Sequence, residues 1–147
     1  MSSFSHDIQM VLDANEVHKQ AAWWAEALGW VVEYPSEAFL SELESKGLLE
    51  PDSLVEFNGR RVFRTGSAIH QEKDGDPTGA RIYIRGVRAG KTQRNRIHWD
   101  VRARPESVDE VVDRLVQLGA QKIGEHFQGP NRSVQMQDPE GNEFCVH

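Results

Sequence analysis

Two stretches of this chain follow the same plan. Ile8-Gln9-Met10-Val11-Leu12-Asp13-Ala14 leads into a helical run ending Ala27-Leu28-Gly29, and Ile97-His98-Trp99-Asp100-Val101-Arg102-Ala103 leads into another ending Gln117-Leu118-Gly119. A strand, a helix of similar length and a glycine stop therefore occur twice. Identities between the halves are few, so the pattern rather than the letters carries the duplication. Two copies of one unit usually face each other, and the seam between them makes a ready pocket.

The elements follow from spacing. Residues 8–14 alternate as a strand, and Val17, Ala21, Trp24 and Leu28 recur at helical spacing until Gly29 stops the helix. Residues 30–34 read as a second strand. Ser36 caps a short helix with Phe39, Leu40 and Leu43 on one face, and Gly47 ends it. Asn58-Gly59 tolerates positive φ and predicts a tight hairpin between 54–57 and 61–64. The polar, Gly- and Pro-containing segment 71–79 reads as a mobile loop, and 81–85 as the strand closing the first half.

The second half is leaner. A strand at 96–102 precedes a helix at about 106–118, whose apolar stripe is Val108, Val111, Val112, Leu115 and Leu118. Strands follow at about 121–127, 132–137 and 142–147, the last two joined by the turn Asp138-Pro139-Glu140-Gly141-Asn142. The order is βαβββ. The first half fits it with a helix inserted after its second strand.

Composition sets outer bounds. At 147 residues there is room for one compact domain, or two small modules sharing a sheet. No apolar run approaches the roughly 20 residues that span a bilayer. The opening Met1-Ser2-Ser3-Phe4-Ser5-His6-Asp7 lacks the charged-then-apolar layout of a secretory leader, so cytoplasmic residence is the expectation. A formal charge of −6 argues against a general nucleic-acid binder. The one basic stretch, from Arg85 through Arg88, Lys91, Arg94 and Arg96, reads as a solvated connection between the halves. A single cysteine, Cys145, excludes an intrachain disulfide framework.

The βαβββ order, the Leu-Gly at each helix end and the closing Asp138-Pro139-Glu140-Gly141-Asn142-Glu143-Phe144-Cys145-Val146 resemble the vicinal oxygen chelate superfamily. More narrowly, Asn95-Arg96-Ile97-His98-Trp99-Asp100-Val101 and Trp23-Trp24-Ala25-Glu26-Ala27-Leu28-Gly29 look like its glyoxalase-like branch. The resemblance implies an α+β fold in which two βαβββ modules form an open cupped β-sheet with helices on the outside. It covers residues 1–147 as a single domain, with module 1 at about 5–88, carrying the helical insertion, and module 2 at about 95–147. A homodimer is implied in the same way. Such folds host metal-dependent glyoxalases, ring-cleaving dioxygenases, epimerases, thiol transferases acting on fosfomycin and proteins that sequester bleomycin-type drugs, so fold does not choose the function.

Strand parity sorts side chains into two faces. Ile8, Met10 and Leu12 oppose Gln9, Val11 and Asp13. Ile82 and Ile84 oppose Arg81, Tyr83 and Arg85. Ile97, Trp99 and Val101 oppose His98, Asp100 and Arg102, while Phe144 and Val146 oppose Glu143, Cys145 and His147. The apolar face suits burial under the helices. In the resembling fold the polar face lines the cup, which makes Gln9, Arg81, Tyr83, Arg85, His98, Asp100, Glu143, Cys145 and His147 the candidate pocket residues.

In metal-using relatives the two equivalent first strands each give one ligand and the two last strands each give a carboxylate. Carried over, the first-strand positions are Gln9 and His98, both able to ligate a metal. The carboxylate positions fall on Cys145 and near Tyr83, and neither is acidic. Glu143 shares the face but lies about one strand repeat, roughly 6–7 Å, from the required height. The usual site is therefore broken, although His98, Cys145 and His147 would be chemically suited to zinc. The plainer reading makes Cys145 a small, partly buried apolar side chain and His147 a solvated terminus.

His98 is a sheet histidine bonded to Asp100, a ligand contact, or an acid–base group that Asp100 orients. Tyr83 could hydrogen-bond a substrate oxygen. Arg81 and Arg85 suit an anionic ligand, or else salt bridges to the surplus acids. Trp23, Trp24 and Trp30 read as packing residues. Two functions follow. One is a metal-independent protein, with no cofactor, holding a small organic ligand in the cup. The alternative is a lyase or isomerase of glyoxalase type, with a divalent metal in a nonstandard site around His98 or using His98 alone.

Overall fold

The computed structural model describes residues 4–147. The reading of the opening as leaderless lies outside the described residues for its first three positions. Two compact units emerge, one reaching Arg88 and the other starting at Ala89.

The first unit runs β1 (Met10–Ala14), α1 (Val17–Leu28), β2 (Val31–Val32), α2 (Glu37–Ser45), β3 (Leu54–Phe57), β4 (Arg60–Phe63), β5 (Gly66–Lys73) and β6 (Asp76–Gly86). Its sheet has the order β1-β6-β5-β2, with β3 and β4 paired separately. The second unit runs β7 (Asp100–Val101), α3 (Val108–Gln117), β8 (Gln121–Gln128), β9 (Asn131–Gln137) and β10 (Glu143–Val146), in the order β7-β10-β9-β8. In both units the first strand lies parallel to the last, which then pairs antiparallel with the one before it. The repeat is thus one of topology.

Register fixes the pairing of first and last strand within each unit. Val11 pairs with Tyr83, and Asp100 pairs with Cys145. Gln9 and His98 each stand two residues before Val11 and Asp100, just outside the paired stretches.

Local chemistry explains the element ends. Gly29 turns left-handed at φ 69°, where any Cβ would be strained. Ser36 Oγ accepts from the Phe39 N–H, and Ser107 and Glu110 form a reciprocal capping box at the start of α3. Asn58 and Gly59 both take positive φ, giving the expected hairpin turn. Helix α1 buries Val17, Ala21 and Trp24, and α3 buries Val111, Val112 and Leu115. Beneath them the strands bury Leu12, Ile69, Ile82, Ile84, Val134, Met136, Phe144 and Val146. Each large side chain so placed contributes roughly 1.5–3 kcal/mol of transfer free energy.

Three expectations need correction. Residues 71–79 form no loop: β5 and β6 continue as a ladder to Lys73↔Asp76, turning at Asp74-Gly75, both at positive φ. Backbone pairing and a two-residue Asp-Gly turn hold this hairpin, and Asp74-Gly75 is its one sign in the sequence, since the flanking side chains are polar and do not alternate. Recognising β5 also redefines the insertion in the first unit, which consists of α2 together with the β3–β4 hairpin. The strand foreseen at 96–102 shrinks to Asp100–Val101, which pair with Cys145 and Val146 of β10. Ile8 and Ile97 precede the paired stretches and are about nine-tenths exposed, at 90% and 89%.

Candidate ligand-binding site

The first unit holds a cavity of about 520 Å³. Its apolar wall comes from Tyr34, Phe39 and Phe63, and its polar groups include His18, Glu33, Arg81 and Tyr83. That volume lies within the range of small-molecule sites.

Arg81 on β6 has two partners, Glu33 and Gln9. Its Nε and Nη2 donate to the Glu33 carboxylate at 2.9 and 3.0 Å, and its Nη1 donates to Gln9 Oε1 at 2.6 Å. His70 on β5 places Nδ1 3.0 Å from Glu33 Oε2 and Nε2 3.0 Å from Glu72 Oε1. The Arg81 bonds hold the Glu33 carboxyl below its ordinary range, against the opposing effect of burial. Glu72 and then Glu33 push the His70 imidazole up. Two cations and two carboxylates thus answer each other within one module.

This network has a pH signature. Folding favours charged His70, so its contribution is complete below about pH 6.5 and fades as pH climbs through the raised value. Folding also favours ionised Glu33, whose contribution is present above about pH 4.5 and fades as pH falls through the lowered value. The network is therefore strongest between those limits. An imidazole NMR titration should give His70 a midpoint above the ordinary histidine value, and His70→Gln should flatten the loss of thermal stability above pH 6.5. A midpoint at or below the ordinary value would remove the network.

His18, near the start of α1, contacts the carbonyl of Phe63 through Nε2 at 2.7 Å. A carbonyl only accepts, so Nε2 carries the proton. Nδ1 is buried without a hydrogen-bond partner among the described residues. The Phe57 ring lies 5.4 Å from the imidazole, tilted 35° to it.

Tyr83 lies across Gly66, where an added Cβ would overlap the phenol oxygen. Gly66 is therefore a close-approach glycine. Gly66→Ala should expel the Tyr83 ring and cost about 1–3 kcal/mol, seen as a lower urea midpoint and altered Tyr83 ring resonances. An unmoved ring would refute the contact.

The second unit has a smaller cavity of about 220 Å³, lined by His98, Glu143 and Cys145 together with Arg94, Gln135 and Gln137. Glu143 accepts from Lys91 Nζ at 2.7 Å and from the Asn95 N–H at 3.0 Å. Burial raises the Glu143 carboxyl, but these bonds outweigh it and the net shift is downward. Burial, with Asp100 nearby, pushes the Cys145 thiol up and keeps it protonated.

The candidates named from sequence are divided between the two units. Gln9, Arg81 and Tyr83 gather in the first unit, and His98, Glu143 and Cys145 in the second. Arg85 does not join them, since it pairs with Asp13 at 2.9 Å on an exposed face. Both arginines are answered by acids of their own module, which removes the basis for an anion clamp. Asp100 does not orient His98 but stands 3.8 Å from His147. Trp24 is core at 1% exposure, with Trp23 edge-on to it.

Among the described residues no three His, Cys, Asp or Glu side chains come together so as to hold a metal ion. Gln9 is bonded to Arg81 and Glu143 to Lys91, and the two positions where the superfamily has carboxylates are Cys145 and Tyr83, so these donors do not fit the superfamily's usual centre. Sequence reading missed His18, Glu33 and His70. An unassigned β5 hid His70, and parity on β2 was the available signal for Glu33.

The fold is that of the vicinal oxygen chelate proteins. A sequence model of the glyoxalase-like domain matches residues 9–147, and the chain belongs to that family. Among solved structures it is similar to the fosfomycin resistance protein FosX from Listeria monocytogenes, with 16% identity, coverage of 98% of this chain and 93% of that one, and a TM-score of 0.62. The same protein complexed with Mn(II) and sulfate gives 18% identity, 100% and 90% coverage and a TM-score of 0.58. A glyoxalase/bleomycin resistance protein/dioxygenase family enzyme from Burkholderia phytofirmans gives 12% identity, 94% coverage of each chain and a TM-score of 0.58. Comparison with curated proteins finds no significant match. At such identities the likeness concerns fold. No helix among the described residues is long and apolar enough to cross a membrane.

Proposed function

We propose that this glyoxalase-like protein binds a small organic ligand without using the superfamily's metal, and that the cavity of the first module is where it binds. In this reading residues 1–147 act as one domain, as a cytoplasmic homodimer. The observation that carries it is the state of the would-be donors. Gln9 and Glu143 are already bonded to Arg81 and Lys91, while the first module keeps a cavity of about 520 Å³ with an aromatic wall.

Elemental analysis of protein purified without added metal tests the claim. The expected result is metal far below one equivalent per chain, and no change in thermal midpoint on adding manganese, zinc, nickel or iron. Stoichiometric metal that disappears in His98→Ala would overturn it in favour of a lyase or isomerase centred on His98.

A further inference from the structure

We infer that the first module's cavity selects an uncharged aromatic compound carrying one hydrogen-bonding oxygen or nitrogen, with Tyr83 as its polar contact. This rests on the ligand-binding reading above and specifies the ligand class.

The charge state of the cavity decides the class. Arg81 and Glu33 both line it, and each is spent on the other: the guanidinium donates to Glu33 through Nε and Nη2 and to Gln9 through Nη1. His70 takes a further lone pair of Glu33 at 3.0 Å. A ligand carboxylate would find the Nε–Nη2 edge of the guanidinium already taken by Glu33 and would face the Glu33 charge. A ligand ammonium would have to displace Arg81 or His70 from Glu33. Burial without a counter-charge penalises either ion, whereas a neutral molecule meets no such cost.

The body of the ligand is set by the aromatic wall. Phe39, on α2, keeps 47% of its surface exposed beside the cavity, and Phe63 lines it from the end of β4. A ring laid against them buries apolar area on both partners. The polar atom is set by Tyr83. Its hydroxyl lies over the bare backbone of Gly66 and has no hydrogen-bond partner among the described residues. A phenol hydroxyl both donates and accepts, so it serves an amide, alcohol or heteroaromatic nitrogen alike.

The test uses four probes of one ring size: benzamide, toluene, benzoate and benzylammonium, titrated into the full chain and followed by calorimetry and amide NMR. Benzamide should bind tightest and shift resonances of Phe39, Phe63 and Tyr83. Benzoate and benzylammonium should bind at least about tenfold more weakly, and Tyr83→Phe should weaken benzamide by about tenfold while leaving toluene unchanged. Phe39→Ala, at an exposed position that should not disturb folding, should weaken benzamide and toluene together.

Equal or tighter binding of either ion would overturn the inference, as would undiminished benzamide binding by Tyr83→Phe or shifts confined to the second module. Those failures leave the metal-free binding reading standing. Stoichiometric metal would defeat that reading without altering the probe ranking.

Discussion

Asp138→Ala is expected to cost the second module about 3 kcal/mol, seen as a markedly lower urea midpoint. Asp138 is 3% exposed, and its Oδ1 accepts from the N–H groups of Glu140 and Asn142, both at 2.9 Å. The Asn142 amide donates to both oxygens, at 3.1 and 2.9 Å. Hydrogen bonds to a charged acceptor contribute about 1.5–3 kcal/mol each, and partial access of Glu140 and Asn142 to water lowers the sum. The turn launches β10, so its loss also frees the β9–β10 register. A one-residue slip would send Glu143 and Cys145 to the core face and Phe144 outward. Asp138→Asn keeps the acceptor but not the charge, and should cost about 1 kcal/mol. Equal midpoints for Asp138→Ala and the unaltered protein would show that the turn is held by its backbone alone.

Trp24→Ala should cost about 3–5 kcal/mol, the range for emptying a large aromatic site in a closed core. Trp24 is 1% exposed on the face of α1 that rests on β5. The same helix carries His18, whose Nε2 reaches Phe63 across 2.7 Å. A helix that loses its main anchor also loosens that bond, so the cavity wall should soften along with the fold. Urea unfolding measures the first effect, and the line width of the His18 imidazole resonance measures the second. Trp24→Phe retains a ring and should recover more than half of the stability. If both variants unfold together, the cavity term assumed here is wrong.

Much of this architecture was legible in the chain because short-range physics wrote it. The Asn58-Gly59 turn, the Ser36 cap and the Gly29 stop each involve partners within a few residues, and each occurs as read. Strand parity placed Ile82, Ile84, Phe144 and Val146 inside for the same reason: alternation is a property of the backbone. Strand β5 escaped because its buried part, Gly66, Ala68 and Ile69, holds a single large apolar side chain and so shows little alternation. Its outer part is polar and exposed, held by main-chain bonds to β6 that no side-chain pattern reports.

The candidate site was legible by face and opaque by partner. Gln9, Arg81 and Tyr83 were assigned to one polar surface, yet nothing in their spacing revealed that Glu33 would take up the guanidinium. Gln9 and Glu33 stand 72 and 48 residues from Arg81. Periodicity and turn chemistry act within a few residues, so the order of elements and the inward side of each strand were decided by the chain's own letters. Which acid neutralises which base, and hence what charge a bound molecule would meet, depended on segments that come together only when the sheet assembles.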